Sequence, residues 1–338
     1  MNVQRPLKVL QATRPGRRRA PGSIEALVTA PCEWTHVDPD DGAEIVRALR
    51  GKDVFISAVL KKEWAPATSG LKAVLLAAAG YEKIAPAAIP PGCVVANAYE
   101  HEAPIAEWVM AVAVMLDHEI IKADRTLRAN DWSMWIFRRP PYRELYGRTL
   151  GVIGLGHIGR RVLELARAYQ MRTVGVSRTP LADQESKQLG LTWSAGLTGL
   201  PQLLAESDFV VVATPLLPET RGLIGADQFK AMKPTAYIIN PARGPIIEEQ
   251  ALYVALKERR IGGAAIDVWW QYPDSPEEDS TTPPSRFPFH ELDNIIMTPH
   301  ISGGTAGTSA RRARVVAGNI DRLYRGEPLV NVVAELSR

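Results

Sequence analysis

Cysteine, net charge and long apolar runs are all scarce in this chain of 338 residues, and each scarcity removes a class of function. Two cysteines, Cys32 and Cys93, are too few for a disulfide framework, so a reducing cytoplasm is the expected setting. The longest apolar stretch, "WVMAVAVML" (108–116), stops at Asp117, far short of the roughly 20 residues needed to cross a bilayer. A formal charge of +3 spread over this length gives no case for nucleic acid or a membrane as partner. No acid precedes Glu25, whereas Arg5, Arg14, Arg17, Arg18 and Arg19 do, a bias shared with transit peptides. The plainer reading is a strand, "LKVLQAT" (7–13), followed by a solvated arginine-rich loop.

What is present points to a two-domain enzyme-sized chain. With 46% hydrophobic and 23% charged residues it reads as soluble and globular, and its length suits two separate cores. Strand-like runs "LKVLQAT", "DVFISAV" (53–59), "LKAVLLAAA" (71–79) and "GCVVANA" (92–98) are separated by helical ones. In "DGAEIVRALRG" (41–51), for example, Ile45, Val46 and Leu49 mark one apolar face. Such alternation predicts an α/β fold of parallel sheets flanked by helices.

A single helix is expected over 103–128, with Pro104 in its first turn. It is apolar nearly all round, which predicts burial between domains or between the subunits of a homodimer. A second alternating series follows: "RTLGVIG" (148–154), "RTVGVS" (172–177), "DFVVVAT" (208–214), "AYIIN" (236–240), "GGAAIDVW" (262–269) and "NIIMTPH" (294–300). Six strands so spaced match the doubly wound dinucleotide-binding pattern. The segment 273–290, rich in Pro, Ser and acids, is expected to be irregular, either a surface excursion or a flap over a cleft. A helix resumes over 307–326.

Gly154, Gly156 and Gly159 in "GVIGLGHIG" (151–159) come directly after a strand and open a helix. The first permits a tight turn, the second lets a pyrophosphate approach the backbone, and the third lets helix pack on strand. The helix start, with His157 and Ile158, offers N–H groups and partial positive charge to phosphates. An NAD site usually carries an acid about twenty residues on for the ribose 2′-hydroxyl. Here Ser177, Arg178 and Thr179 stand instead. No carboxylate repels a 2′-phosphate, and a guanidinium can pair with one, so NADP is expected ahead of NAD.

In these segments, together with "AAAGYEKI" (77–84), "ATPLLPETRGLIG" (213–225), "INPARGPIIEEQAL" (239–252) and "MTPHISGGT" (297–305), the chain resembles the D-isomer-specific 2-hydroxyacid dehydrogenases over nearly its whole length. The resemblance implies a flavodoxin-like substrate domain (1–102 and 301–338), an inserted Rossmann domain (103–300) and an active site in the cleft. It implies that Arg243 binds the substrate and that His300 is the acid/base, with Ala242, Thr214 and Pro215 lining the cofactor cleft. Asp267 would bond the nicotinamide carboxamide, and amides around Ala79 and Gly80 would bind the substrate carboxylate. These roles suit reduction of a small anionic 2-keto acid: a guanidinium holds the carboxylate and polarises the carbonyl, while an imidazolium supplies the proton. No metal is expected.

One position departs from the family pattern. Where similar enzymes carry Glu before a proline, or Gln in the formate type, this chain has Tyr272, with Gln271 one step early. A carboxylate would raise the imidazole pKa; a phenol can orient the ring but supplies no counter-charge. His300 is therefore expected to titrate lower, and reduction to weaken at a lower pH, unless Glu102 or Glu291 partners it instead. His101 is a weaker substrate-contact candidate, His118 and His290 are given no chemistry, and Trp132, Trp135 and Tyr142 could narrow the pocket. Rival functions are a formate- or phosphite-type dehydrogenase and a corepressor-like dinucleotide sensor with vestigial catalysis.

Overall fold

The computed structural model describes residues 5–13, 22–273 and 278–337. Arg14, Arg17, Arg18 and Arg19 of the expected solvated loop, and residues 274–277 of the expected flap, lie outside them. The chain divides into two compact units, Met1–Glu100 with Thr305–Arg338, and His101–Gly304.

The first unit holds strands β1 (Leu7–Ala12), β2 (Cys32–Val37), β3 (Val54–Ile56), β4 (Ala73–Leu75) and β5 (Val94–Ala96), with helices α1 (Ile24–Leu27) and α2 (Gly42–Leu49) between them. All the pairings are parallel, in the order β2-β1-β3-β4-β5, the flavodoxin-like winding. Successive strand residues face opposite sides. Leu10, Phe55, Val74 and Val95 bury under α2, while Val9, Val54, Ala73 and Leu75 bury on the far side. The Asp41 carboxylate caps α2 by accepting the Glu44 N–H at 2.8 Å.

The second unit begins with α3 (Glu102–Asp117) and α4 (Ile120–Arg128), where one helix was expected. The break falls at Glu119, whose φ of 53° is left-handed. The face of α3 formed by Ile105, Val109, Met110, Val112, Ala113 and Leu116 is spent inside its own unit, in one core with helix α5 (His157–Ala168) and one face of the sheet. The buried face expected between domains or subunits thus packs within this unit, while Glu107, Ala111 and Met115 stay exposed.

Seven parallel strands follow, β6 (Thr149–Ile153), β7 (Arg172–Val176), β8 (Trp193–Ala195), β9 (Phe209–Val212), β10 (Tyr237–Asn240), β11 (Gly263–Ile266) and β12 (Ile295–Met297). Their order is β12-β11-β10-β9-β6-β7-β8. Counted from β6 this is the 3-2-1-4-5-6 doubly wound order with one strand added. Between them run α6 (Asp183–Gln188), α7 (Leu200–Glu206), α8 (Ala226–Ala231) and α9 (Glu249–Lys257). Finally α10 (Ala306–Arg325) returns to the first unit, burying Ala313, Val316, Ala317 and Ile320 on its sheet. Gly326, at φ 71°, ends it.

The strands β2 and β8, absent from the sequence-based count, are both edge strands with partly exposed residues. Neither shows the strong alternation or apolar run that marks a central strand.

Candidate active site

Parallel strands deliver their carboxyl ends to one edge of the sheet, and the chain order reverses between β6 and β9. Ligands of doubly wound folds bind outside that reversal. The loops leaving β6, β9, β10, β11 and β12 hold Arg243, Tyr272, His300, Asp267 and the glycine turn.

The loop after β6 is shaped by its glycines. Gly154 has φ 103°, and a Cβ there would lie 2.6 Å from the Ala213 carbonyl atoms and 2.8 Å from the Thr214 nitrogen, so the turn seats directly on the end of β9. A Cβ on Gly159 would meet the Gly154 oxygen at 2.0 Å, which explains close helix packing. At Gly156 a Cβ would meet nothing within 4 Å. That open backbone, at the N-cap of α5, is the cradle a pyrophosphate requires, so the residues present fit a dinucleotide. His157 and Ile158 form the first turn of α5. Beside the cradle, Thr220 fixes the 215–220 loop by donating to the Pro215 oxygen at 2.7 Å and accepting the Leu217 N–H at 2.7 Å.

Past β7, the Ser177 hydroxyl donates to the Thr179 carbonyl at 2.7 Å. Arg178 is exposed, with Glu219 3.5 Å from one of its nitrogens.

After β10 the Asn240 side chain, fully buried, accepts the Ala242 N–H and donates to the Arg243 carbonyl, both at 3.0 Å. Gly244 lets this loop lie on the next one, since a Cβ there would be 2.5 Å from the Trp269 oxygen. The half-buried Arg243 guanidinium donates to the Ala242 carbonyl at 2.7 Å. Its charge acts on both Tyr272 and His300.

The loop after β11 starts at Asp267, which is wholly buried. Its Oδ1 accepts the Thr298 hydroxyl at 2.5 Å and the Ile301 N–H at 2.9 Å; its Oδ2 accepts the Ser302 N–H at 2.9 Å and hydroxyl at 2.5 Å. A carboxylate has about four acceptor positions. All four serve the loop that carries His300, so the carboxylate expected at the nicotinamide carboxamide is engaged in holding that loop. His300 sits in that loop at φ 58°, a left-handed conformation that costs a side chain roughly 1–2 kcal/mol. The bonds from Asp267 on either side offset this.

Tyr272 places its oxygen 3.1 Å from His300 Nδ1 and accepts the Trp269 N–H at 3.0 Å. The Nδ1 partner is therefore Tyr272; Glu102 begins α3, and Glu291 is exposed in a short turn. Partial withdrawal from water pushes the His300 pKa down, Asp267 opposes this and Arg243 adds to it, leaving the ring below its ordinary value. Burial also raises the Tyr272 pKa, against smaller opposing effects of the Trp269 N–H and Arg243. The phenol stays protonated through neutral pH.

Other candidates fall elsewhere. Ala79 and Gly80 lie in the first unit, after β4, where Asn97 donates to the Ala79 carbonyl at 2.7 Å. His101 caps α3, beside Gly303. Trp132, Trp135 and Tyr142 are exposed; Trp132 packs edge-on against Trp135, and Tyr142 lies tilted against His118. Sequence reasoning passed over Asn240, Trp269, Thr298 and Ser302, whose only signal was adjacency to the motif residues.

Residues 110–302 match the model of the D-isomer specific 2-hydroxyacid dehydrogenase NAD-binding domain. The chain belongs to the D-isomer-specific 2-hydroxyacid dehydrogenase family. It is 32% identical to a glyoxylate reductase of Korarchaeum cryptofilum, over 89% of this chain and 88% of that one. It is 33% identical to a D-3-phosphoglycerate dehydrogenase of Methanocaldococcus jannaschii, over 86% of this chain but about half (53%) of the relative. The holo form of Rhodotorula graminis D-mandelate dehydrogenase superposes with a TM-score of 0.81 at 23% identity, over 98% of each chain. Family members are NAD(P)-linked oxidoreductases, and the two parallel sheets are those of this family's fold.

Proposed function

We propose that the chain reduces a small 2-keto acid to its D-2-hydroxy acid with NADPH in preference to NADH. The observation that carries this is the convergence of Arg243, Tyr272 and His300 on the loops of three neighbouring strands, β10, β11 and β12, on the edge that bears the Gly154–Gly159 turn. Bound NADPH supplies the hydride to the carbonyl carbon. Arg243 grips the carboxylate and draws charge onto the carbonyl oxygen. His300 protonates that oxygen. Ser177, Arg178 and Thr179, with no acid among them, leave room and charge for a 2′-phosphate.

A cytoplasmic setting is in keeping with two free thiols, Cys32 and Cys93. The homodimer draws its support from the segment after α4. Trp132, Trp135, Ile136, Phe137, Tyr142 and Tyr146 are all exposed there, an apolar surface that a second copy would cover. Light scattering that returns a monomer would remove that part.

The test is NADPH and NADH oxidation against a panel of keto acids from glyoxylate upwards, beside formate and phosphite with NAD(P)+. Turnover of a short keto acid, reduced at least 10²-fold in both Arg243→Ala and His300→Ala, is expected. Turnover of formate or phosphite alone, or of nothing, overturns the proposal.

A further inference from the structure

Hydrogen-bond directions around Tyr272 bear on how the proton is handled. Among the described residues its oxygen has two partners, the Trp269 N–H at 3.0 Å and His300 Nδ1 at 3.1 Å. The amide can only donate, so it occupies a lone pair of the oxygen. Among the described residues the phenol's own proton then has one acceptor in reach, Nδ1, the alternative being solvent at this partly exposed side chain. We infer that Tyr272 donates to His300 and holds the neutral imidazole as its Nε2–H tautomer, so that the pair hands over the substrate's proton as a relay and needs no imidazolium. This rests on the keto-acid reductase reading.

The contrast with a carboxylate at position 272 is one of direction. A carboxylate only accepts, so it fixes the proton on Nδ1, and Nε2 then carries a proton only in the imidazolium. A phenol reverses the bond, and Nε2 carries its proton in the neutral ring. The charged groups acting on the ring are Asp267, from the end of β11, and Arg243, from the end of β10. Their effects oppose one another, and partial burial disfavours the cation, so the neutral form prevails at physiological pH.

The step balances as follows. Hydride addition turns the carbonyl oxygen into an alkoxide, which takes the Nε2 proton. Nδ1 takes the phenol proton in the same movement, and the negative charge ends on the Tyr272 oxygen. Burial disfavours the phenolate there, and the Trp269 N–H and the Arg243 charge offset part of that cost. An alcohol is a far weaker acid than a phenol, even one whose pKa burial has raised, so the net transfer runs downhill. Water then protonates Nε2 and the Nδ1 proton returns to the phenolate, restoring the start. Tyr272 acts here as a positioning residue, through His300.

Two consequences follow. Reduction persists between pH 7 and 9, where the neutral ring prevails, in contrast to the expectation from sequence that reduction weakens early as pH rises. Oxidation of a hydroxy acid needs a bare Nε2, so it climbs only as Tyr272 ionises, above the ordinary phenol range.

The experiment is nitrogen-15 NMR of histidine-labelled protein, with the His300 signals assigned by loss in His300→Gln, alongside pH–rate profiles. Expected for the native protein are a protonated Nε2 and an unprotonated Nδ1 above the ring's pKa, with keto-acid reduction level from pH 7 to 9. Tyr272→Phe should mix the tautomers and lower kcat at pH 8 about 10²-fold. Tyr272→Glu should move the proton to Nδ1, raise the ring's pKa and make reduction fall with pH. A native Nδ1–H tautomer, or an unchanged tautomer in both variants, overturns the inference. If Nε2–H is seen but no keto acid is reduced, the donor assignment stands and the reductase reading fails.

Discussion

Asp267→Asn separates two roles for a buried carboxylate. In the structure its four acceptor positions are filled by Thr298, Ile301 and Ser302, two donors to each oxygen. An asparagine keeps one oxygen, so one pair of donors then faces an NH2 group. A hydroxyl can rotate away from that clash, but a backbone N–H cannot, and one amide is stranded. A stranded buried amide costs about 1–3 kcal/mol. Loss of charge assistance in the surviving bonds takes the sum to about 2–4 kcal/mol. In a unit the size of His101–Gly304 this corresponds to a Tm lower by about 5–15 °C. His300 rides on the same loop, and a displacement of about 1 Å is enough to cost about 10² in kcat. Calorimetry and steady-state kinetics should therefore show lower Tm and lower kcat with KM for NADPH little changed. A raised KM for NADPH with Tm intact would refute the reasoning and return Asp267 to the nicotinamide carboxamide.

Further tests probe the cradle, the cofactor choice and the first unit. Gly156→Ala should leave Tm unchanged and weaken NADPH binding at least tenfold, because the added Cβ meets no protein atom yet occupies the cradle; Gly159→Ala should instead lose about 1–3 kcal/mol in denaturant unfolding, since its Cβ strikes the Gly154 oxygen. Arg178→Ala should raise KM for NADPH by about 10–100-fold, the worth of a charge-assisted bond, and leave KM for NADH near its native value; equal effects on both would refute the 2′-phosphate role. Asp53 is held at a pKa of about 2, because Arg5, the Lys8 amide and Lys72 outweigh the burial that opposes its charge. The depressed value means its contribution is present above the ordinary pKa near 3.8 and fades as pH falls from about 4 to about 2. Acid unfolding of Asp53→Asn should lack that part of the pH dependence, and an unchanged profile would count against it.

Local chemistry determined much of this protein in advance. The spacing of Gly154, Gly156 and Gly159 after an apolar run, the alternation of strand and helix, and the "NPARG" and "TPH" motifs are properties of short stretches, legible because each depends on neighbours in the chain. The break at Glu119 and the edge strands β2 and β8 escaped notice, since no apolar pattern marks them. Tertiary structure alone decided what the motif residues do to one another. Asp267 was visible as a motif residue, yet that it clamps the His300 loop follows from donors more than 30 positions away. Tyr272 could be counted as a departure from pattern, but not as the partner of His300 Nδ1, because that depends on a contact between loops 28 positions apart. A hydrogen bond's direction is set by every partner its atoms have, and those partners meet only when the chain is folded.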